Sequence, residues 1–170
     1  MPGSPNNEIR GNGLIEAPPR KVLELLRQPD AATIRQYNPM YDEGYDLERI
    51  DARTKISFGT ARAIFPFKPR DTVTRIAERE VQGGTGGTVL LLRAVEHASM
   101  PPQKTHVRAR IVRGMHLIQP VAGQPARTNF TFCQQVDVGG ILPAWLMNQL
   151  IAQDSVEFVK RVGAASARRR

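Results

Sequence analysis

The stretch DVGGILPAWLMN at residues 137–148 marks the point where the chain changes its pattern. Before it, short segments alternate apolar and polar residues, which predicts antiparallel strands. Gly139-Gly140 ends the last of these strands, and Leu142-Pro143 then begins a helix that can continue to about Ala167. A run of strands followed by one long helix favours an α+β fold in which the helix packs on the sheet.

Two short helices and seven or eight strands precede this junction. Pro18-Pro19 begins the first helix, which runs through Gln28, and Asp30 can cap a second helix that ends near Tyr37. The glycine-rich residues 82–88 predict a turn. Strands are predicted over residues 8–15, 42–50, 53–64, 71–81, 87–96, 105–113, 115–121 and 127–137. The division predicted for the whole chain is a loose N-terminus over residues 1–7, one domain over 8–167 and a basic tail over 168–170.

Composition indicates a globular protein that meets an anionic surface. The 170 residues are 41% hydrophobic and 24% charged, and they carry a formal net charge of +8. A membrane surface is the favoured anionic partner, because only 6% of residues are aromatic and a nucleic-acid site needs stacking platforms. The longest apolar stretch, residues 141–152, is too short to span a bilayer, and no secretory signal is visible. We therefore expect a monomeric cytoplasmic protein, peripheral to membranes, that binds no nucleic acid.

No motif in the chain indicates catalysis, a metal or a cofactor. His97, His106 and His116 show no metal-ligand spacing, so each is expected at a strand end or on the surface. The GGTGG run at residues 83–87 lacks the Lys-Ser/Thr pair of a phosphate-binding loop and predicts a hairpin turn. Cys133, the single cysteine, excludes an internal disulfide and is expected to be a packed thiol.

Several short motifs, in this order and spacing, resemble the START family of lipid-transfer domains. They are Lys68-Pro69-Arg70-Asp71, Met100-Pro101, Val107-Arg108-Ala109, Gly114 and the stretch at 137–148. The resemblance covers roughly residues 11–163. It implies a helix-grip fold, in which a curved antiparallel sheet encloses a tunnel for one lipid and the C-terminal helix closes it. It also implies lipid binding without a cofactor or covalent chemistry.

The chain departs from the family's pattern in three ways. No stretch corresponds to the family's N-terminal helix and first two strands, so the strand at residues 8–15 is expected to form an exposed edge. The arginine and aspartate that grip a choline headgroup in the family correspond to Ile34 and Asn38. The buried acid and arginine of sterol-type members correspond to Ser57 and Ile76. The missing choline clamp, together with the small and mostly apolar lining described next, favours a sterol or another weakly polar lipid over a choline phospholipid.

On the family's register, strand alternation places small and hydroxyl side chains on the inner face of the tunnel. The predicted lipid-binding residues are Ser57, Gly59, Ala61, Ala63, Thr72, Thr74, Ile76, Val112 and Gln134 on strands, with Leu146 and Leu150 on the last helix. This lining contains no acid–base pair. Arg70, Asp71 and Arg108 are expected to form structural ion pairs or strand-start contacts.

The loop after residue 64 corresponds to the family's loop beside the tunnel mouth. Phe65, Phe67 and Lys68 suit a membrane interface, where aromatic rings and a cation are both accommodated. The predicted function is binding of one hydrophobic lipid and its transfer or sensing between membranes. Two alternatives stay open at this point: a helix-grip cyclase or hydrolase acting on a hydrophobic substrate, and a truncated module with a regulatory or vestigial role.

Overall fold

The computed structural model describes residues 8–140 and 144–169, with side chains over 8–140 and 156–169. Over these described ranges, three helices and eight strands form the architecture. In chain order they are β1 (Glu8–Ile15), α1 (Pro19–Arg27), α2 (Ala31–Arg35), β2 (Tyr41–Asp51), β3 (Thr54–Ala61), β4 (Arg70–Glu80), β5 (Thr88–Ala94), β6 (Val107–Arg108), β7 (Arg110–Val121), β8 (Gln124–Asp137) and α3 (Ala144–Ala167). At 24 residues and 1.5 Å per residue, α3 is about 36 Å long.

All eight strands belong to one curved sheet. The strand order is β1-β8-β7-β5-β4-β3-β2, with every neighbouring pair antiparallel, and the short β6 pairs parallel with the start of β4. The turn between β4 and β5 depends on glycine at Gly87, because φ is +128° and a Cβ there would lie 2.4 Å from the carbonyl oxygen of Ile118. The α+β helix-grip prediction is confirmed.

The helices α1 and α3 pack against one face of the sheet, which we call the concave face. Val22 and Leu25 of α1 and Val162 of α3 are fully buried there against Ile118 and Phe130 of β7 and β8. Asp30 caps α2 as predicted, since its Oδ1 accepts a hydrogen bond of 2.8 Å from the backbone N–H of Thr33. The main core therefore lies between the helices and the β1–β8–β7 part of the sheet.

A second, smaller core lies on the opposite, convex face. Ile56, Phe58 and Val73 of β3 and β4 are buried beneath Val95 and Met100 of the connection between β5 and β6. This connection, residues 95–106, contains little regular structure of its own. The convex face of β3 and β4 is therefore closed by a loop rather than by a helix.

Asp71 and Arg108 hold that loop in place. Arg108 donates from Nε and Nη2 to the two carboxylate oxygens of Asp71 at 2.9 and 3.0 Å, and Asp71 has no exposed surface. The same Nη2 donates to the carbonyl oxygens of Met100 and Pro101 at 3.2 and 3.3 Å. The motif residues make the structural contacts expected of them: Asp71 pairs with Arg108, whereas Arg70 donates to the carbonyl oxygens of Lys68 and Val138.

The sequence prediction was wrong between residues 105 and 121. Two strands divided at Gly114 were expected, whereas the structure has the two-residue β6 followed by the continuous β7. Gly114 does not break the strand: a Cβ at this position would lie only 3.1 Å from side-chain atoms of Ile111 and Leu92. The glycine allows close packing inside the strand, which is a second common role for glycine in a sheet.

β1 forms one outer edge of the sheet in the described part of the chain. A groove of about 630 Å³ runs between β1 and the C-terminal part of α3, and Leu14 and Val156 beside it are 57% and 63% exposed. These observations agree with the exposed edge expected from the sequence.

Among the described helices, none combines the length and the hydropathy needed to cross a bilayer.

Candidate functional site

Strand pairing extends the concave face across the whole sheet. His116 and Ile118 are on this face, and their partners on β5 are Leu90 and Thr88. Leu92 on β5 has the same orientation as Leu90, and its partner on β4 is Ile76. Alternation and register then place Thr72 and Thr74 of β4, with Gly59 and Ser57 of β3 opposite them, on the concave face.

The two halves of this face differ in side-chain size. Ile118, Phe130 and Phe132 fill the half beneath α1 and the C-terminal part of α3. In the described part of the chain, no residue of β3, β4 or β5 belongs to that buried cluster. The other half carries Ser57, Gly59 and Ala61 from β3, Thr72 and Thr74 from β4, and Ala94 from β5. The concave face therefore has one packed half and a small-residue half, in which small side chains lie at the end near the β3–β4 connection and Ile76, Leu90 and Leu92 lie farther along β4 and β5.

The structure brings most of the predicted lining residues to this face. Gln134 of β8 pairs with Gly114 and lies in the same transverse row as Ile76. The residues found together on the concave face are Ser57, Gly59, Ala61, Thr72, Thr74, Ile76 and Gln134. Leu146 and Leu150 lie on the described backbone of α3, but their side chains are outside the described part.

Two predicted lining residues are not on the concave face. β3 ends at Ala61, so Ala63 lies in the following connection and is exposed. Val112 is the extra residue of a bulge: Ile111 pairs with Val136 and Arg113 pairs with Gln135, which leaves Val112 unpaired and 42% exposed. Counting alternate residues across the bulge gave the wrong orientation, and Ile111 takes the inward position next to Gly114.

Tyr41 occupies some of the space that the glycines leave. A Cβ on Gly59 would lie 2.9 Å from the Tyr41 ring, and a Cβ on Gly44 would overlap the Tyr41 hydroxyl. Burial raises the pKa of Tyr41, and the nearby Asp46 carboxylate raises it further. Gly44 and Gly59 therefore admit an aromatic ring to the concave face.

A polar group that sequence reasoning missed adjoins Tyr41. Asp46 of β2 pairs with Ser57, whose Oγ donates to Asp46 Oδ1 at 2.7 Å. The ammonium of Lys55 lies 2.9 Å from the same carboxylate oxygen. The Asp46 side chain is 32% exposed and that of Lys55 is 18% exposed, so the pair is only partly covered. The concave face thus holds a neutralised carboxylate and a serine whose hydroxyl can still accept a hydrogen bond.

A second ion pair lies on the concave face, at the end of β4 that is farthest from the β3–β4 connection. Glu78 of β4 receives two hydrogen bonds from Arg27 at the end of α1, from Nε at 2.8 Å and from Nη2 at 2.6 Å. Lys55 Nζ also donates to the carbonyl oxygen of Arg27 at 3.1 Å. The end of α1 is therefore fixed to β3 and β4 by charged side chains. The alternation Thr72, Thr74, Ile76 extends to Glu78, so this carboxylate could have been found from the sequence.

His116 was expected at a strand end or on the surface, and that expectation was wrong. It is 7% exposed and lies near the Phe130 and Phe158 rings, at centroid distances of 5.9 and 5.8 Å. Burial lowers its pKa to about 4, so the imidazole is neutral near pH 7. Its position in the packed half of the face makes it a core residue. In the described part of the chain, no group of three His, Cys, Asp or Glu residues could hold a metal ion.

The connection between β3 and β4 projects one aromatic side chain into solvent. Phe65 is 95% exposed, while Phe67 is half-buried. Lys68 Nζ donates to the carbonyl oxygen of Lys104 at 3.0 Å, and Arg70 donates to the carbonyl oxygen of Val138 at 3.4 Å. The connection is thereby linked to the loop before β6 and to the segment after β8, beside the small-residue half of the concave face.

Known proteins match this chain in sequence and in fold. The family model of the START domain matches residues 9–170. The mitochondrial steroidogenic acute regulatory protein of Gallus gallus is 32% identical over 136 residues, which make up 78% of this chain and 47% of that protein. The crystal structure of human STARD10 superposes with a TM-score of 0.82 at 22% identity, covering 94% of this chain and 63% of that one. A STAR-related lipid transfer protein of Xanthomonas axonopodis has a TM-score of 0.73 at 24% identity, covering 99% of this chain and 90% of that fragment.

The fold of this chain is also found in an enzyme of lower sequence identity. An aromatase/cyclase of Streptomyces sp. R1128 has a TM-score of 0.62 at 12% identity, covering 96% of this chain and 95% of the cyclase. At such identity the likeness shows the fold alone. The chain spans about half the length of the Gallus gallus relative. Because the START domain model matches nearly all of its residues, the chain belongs to the START domain family.

Proposed function

We propose that the chain binds one lipid molecule against the small-residue half of the concave face and transfers it between membranes. The observation that carries this proposal is the contrast between the two halves of that face. Helices and aromatic side chains fill one half, while Ser57, Thr72 and Thr74 line the other. The relatives with the same domain include proteins named for lipid transfer, which supports the same reading.

The energetics of transfer explain why such a face is needed. Moving a chain of about 16 methylenes from a bilayer into water costs roughly 13 kcal/mol, at about 0.8 kcal/mol per methylene. A sheet face closed by a helix offsets most of that cost. Exchange then requires an opening that meets the membrane. The connection between β3 and β4 adjoins the small-residue half, so we propose that it is that opening.

The ligand that we propose is a weakly polar lipid, favoured over a choline phospholipid. Ile34, at the position of the family's headgroup arginine, packs against the main core instead of offering a charge. The carboxylate of Asp46, on the same face as Ser57, already has Lys55 as its partner. The charged groups identified on this part of the face are thus paired with each other, and a zwitterionic headgroup would find little to hold it.

The connection between β3 and β4 should make the contact with the membrane. Replacing Phe65 and Phe67 by alanine is expected to slow lipid exchange between vesicles about tenfold. Tenfold corresponds to about 1.4 kcal/mol, which is close to the low end of the roughly 1.5–3 kcal/mol that burial of one such ring contributes. The measurement is the rate of transfer of a fluorescent sterol from donor to acceptor vesicles, with and without anionic lipid.

A matched control for this variant is Leu14→Ala together with Val156→Ala. Both residues have exposed apolar side chains, and they lie on another part of the surface, at the groove between β1 and α3. The control is expected to exchange lipid at the wild-type rate. Unchanged exchange in a folded Phe65→Ala/Phe67→Ala protein would exclude these rings as the membrane contact.

We also propose that the chain is not an enzyme. The sequence prediction that the lining holds no acid–base pair was incomplete, because Asp46 and Glu78 lie on the concave face. Each carboxylate is engaged by a cation, Asp46 by Lys55 and Glu78 by Arg27, and Ser57 donates to Asp46. A general base needs a free lone pair directed at the substrate. If a bound lipid is recovered with an altered mass after long incubation, the enzyme alternative replaces this proposal.

A further inference from the structure

Two arginines lie directly opposite each other on the convex face of the sheet. Arg75 of β4 pairs with Arg93 of β5, and both residues are exposed. Arg75 has the same orientation as Val73, which belongs to the convex core. Side chains at paired positions have Cβ atoms about 4.5–5.5 Å apart, and like charges placed there destabilise a sheet. The fold gains nothing from this arrangement, so it requires an explanation outside the fold.

The protein itself does not neutralise these two residues, which we call the arginine pair. Within the described part of the chain, neither guanidinium group makes an ion pair or a hydrogen bond. Glu96, the acid nearest to Arg93 along the chain, makes no ion pair with it. By contrast, Arg113 on the neighbouring β7 lies 2.7 Å from the carboxylate of Glu8. The positive charge of the arginine pair is therefore directed to solvent, where an anionic partner can reach it.

A cavity of about 460 Å³ adjoins the arginine pair. Two residues of its wall are the immediate neighbours of that pair: Val73 is on the same face of β4, and Ala94 follows on β5. Arg108 and Arg110 also line the cavity, with Glu96 as the acid in its lining. Arg110 is exposed and, within the described residues, has no ion pair or hydrogen bond. The cavity therefore combines apolar walls with an excess of positive charge.

We propose that the arginine pair and this cavity form a docking surface for an acidic protein segment that carries an apolar side chain between its carboxylates. The guanidinium groups of Arg75 and Arg93 offer planar sets of donors that match carboxylate oxygens. The apolar side chain of the partner enters the cavity. Binding also places negative charge between two cations that otherwise repel each other. The surface lies on the opposite side of the sheet from the proposed lipid, so this inference does not depend on lipid binding.

The loop over the convex face favours a protein segment over a membrane as the partner. Val95 and Met100 of this loop cover Ile56, and Ile56 is paired with Arg75. The loop therefore stands above the sheet beside the arginine pair. A flat membrane would meet the loop before it met the arginines, whereas an extended chain can lie along this step. The repulsion within the pair and the step beside it thus point to the same kind of partner.

The test is binding of a fluorescent peptide in which glutamates flank one leucine, measured by anisotropy at low ionic strength. Wild-type protein is expected to bind the peptide and to lose it as salt is added. Arg75→Gln/Arg93→Gln is expected to weaken binding about tenfold, or roughly threefold for each exposed ion pair lost. The same variant should unfold at a higher urea concentration, because the repulsion between the arginines is removed. A merely structural role for these arginines would lower that concentration instead.

Arg20→Gln/Arg168→Gln is the matched control, because it removes the same charge from exposed positions on α1 and just after α3. It is expected to bind the peptide within about twofold of the wild type. A peptide with serine in place of the leucine should bind several-fold more weakly to the wild type, since it cannot fill the cavity. Equal weakening in the two double variants would overturn the surface, because net charge alone would then explain binding.

Vesicles that contain phosphatidylserine provide the second arm of the experiment. Both double variants are expected to bind these vesicles equally well and to exchange lipid at the wild-type rate. If Arg75→Gln/Arg93→Gln lost vesicle binding but kept peptide binding, the partner would be a membrane and the proposal would be wrong. A wild-type protein that does not bind the peptide would also overturn the proposal, and it would leave the proposed lipid binding unaffected.

Discussion

Replacing Arg108 by leucine is expected to lower the free energy of unfolding by about 3–5 kcal/mol, which is the usual effect of leaving one member of a buried ion pair alone. The carboxylate of Asp71 has no exposed surface and accepts two hydrogen bonds from this guanidinium. The substitution also removes the donors that hold the Met100 and Pro101 carbonyl oxygens. We expect the loop over the convex face to loosen, and urea unfolding measures the change.

Arg113→Leu is the matched control for this prediction. Arg113 pairs with Glu8 at 2.7 Å, but the two side chains are 68% and 42% exposed, so its loss should cost no more than about 1 kcal/mol. The double variant Asp71→Leu/Arg108→Leu should recover a large part of the stability, because it removes the buried charge together with its partner. A loss below about 1 kcal/mol for Arg108→Leu would show that the ion pair does not hold the loop.

His116 is expected to make the protein less stable in mild acid. Its pKa is lowered from 6.5 to about 4 in the folded protein, so between these values the unfolded chain binds a proton that the folded protein does not. The stability of the wild type therefore falls as the pH drops from about 6.5 to about 4, by up to about 3 kcal/mol from this residue. Below about pH 4 both states are protonated, and the loss from His116 stops growing.

The pH dependence is isolated by comparison with His116→Leu. Other titrating groups are common to both proteins, so the difference between their unfolding free energies reports on His116. We expect this difference to be constant above about pH 7.5 and to shift in favour of the variant toward pH 4. Chemical denaturation at a series of pH values provides the measurement. A difference that stays flat across this range would show that His116 is solvated in the folded protein.

The fold could be predicted from the sequence because its signals are local. Period-two alternation identifies the strands, glycines mark the β4–β5 turn, and Leu142-Pro143 precedes the long helix. The two errors in the predicted lining arise where the regular alternation of a strand is interrupted or ends. The bulge at Val112 inserts one residue and reverses the count, and β3 ends at Ala61, before Ala63.

The polar part of the site was beyond sequence reasoning for a related reason. β2 pairs with β3 through several irregularities, so the alternation of its residues does not show that Asp46 is beside Ser57. The sequence pattern also could not show that the Tyr41 ring lies over Gly44 and Gly59. The ring occupies the space that side chains at these two glycines would fill, and Gly59 is on the neighbouring strand. By contrast, Ser57, Thr72 and Thr74 were predicted on one face, since β3 and β4 pair without a bulge.

Native mass spectrometry of the purified protein, followed by lipid extraction, tests lipid binding most directly. We expect one lipid molecule per chain, either retained from expression or acquired from vesicles that contain cholesterol. The extracted lipid should be weakly polar rather than a choline phospholipid. A folded protein that stays empty after incubation with such vesicles would contradict lipid binding, and it would favour the regulatory or vestigial module that the sequence left open.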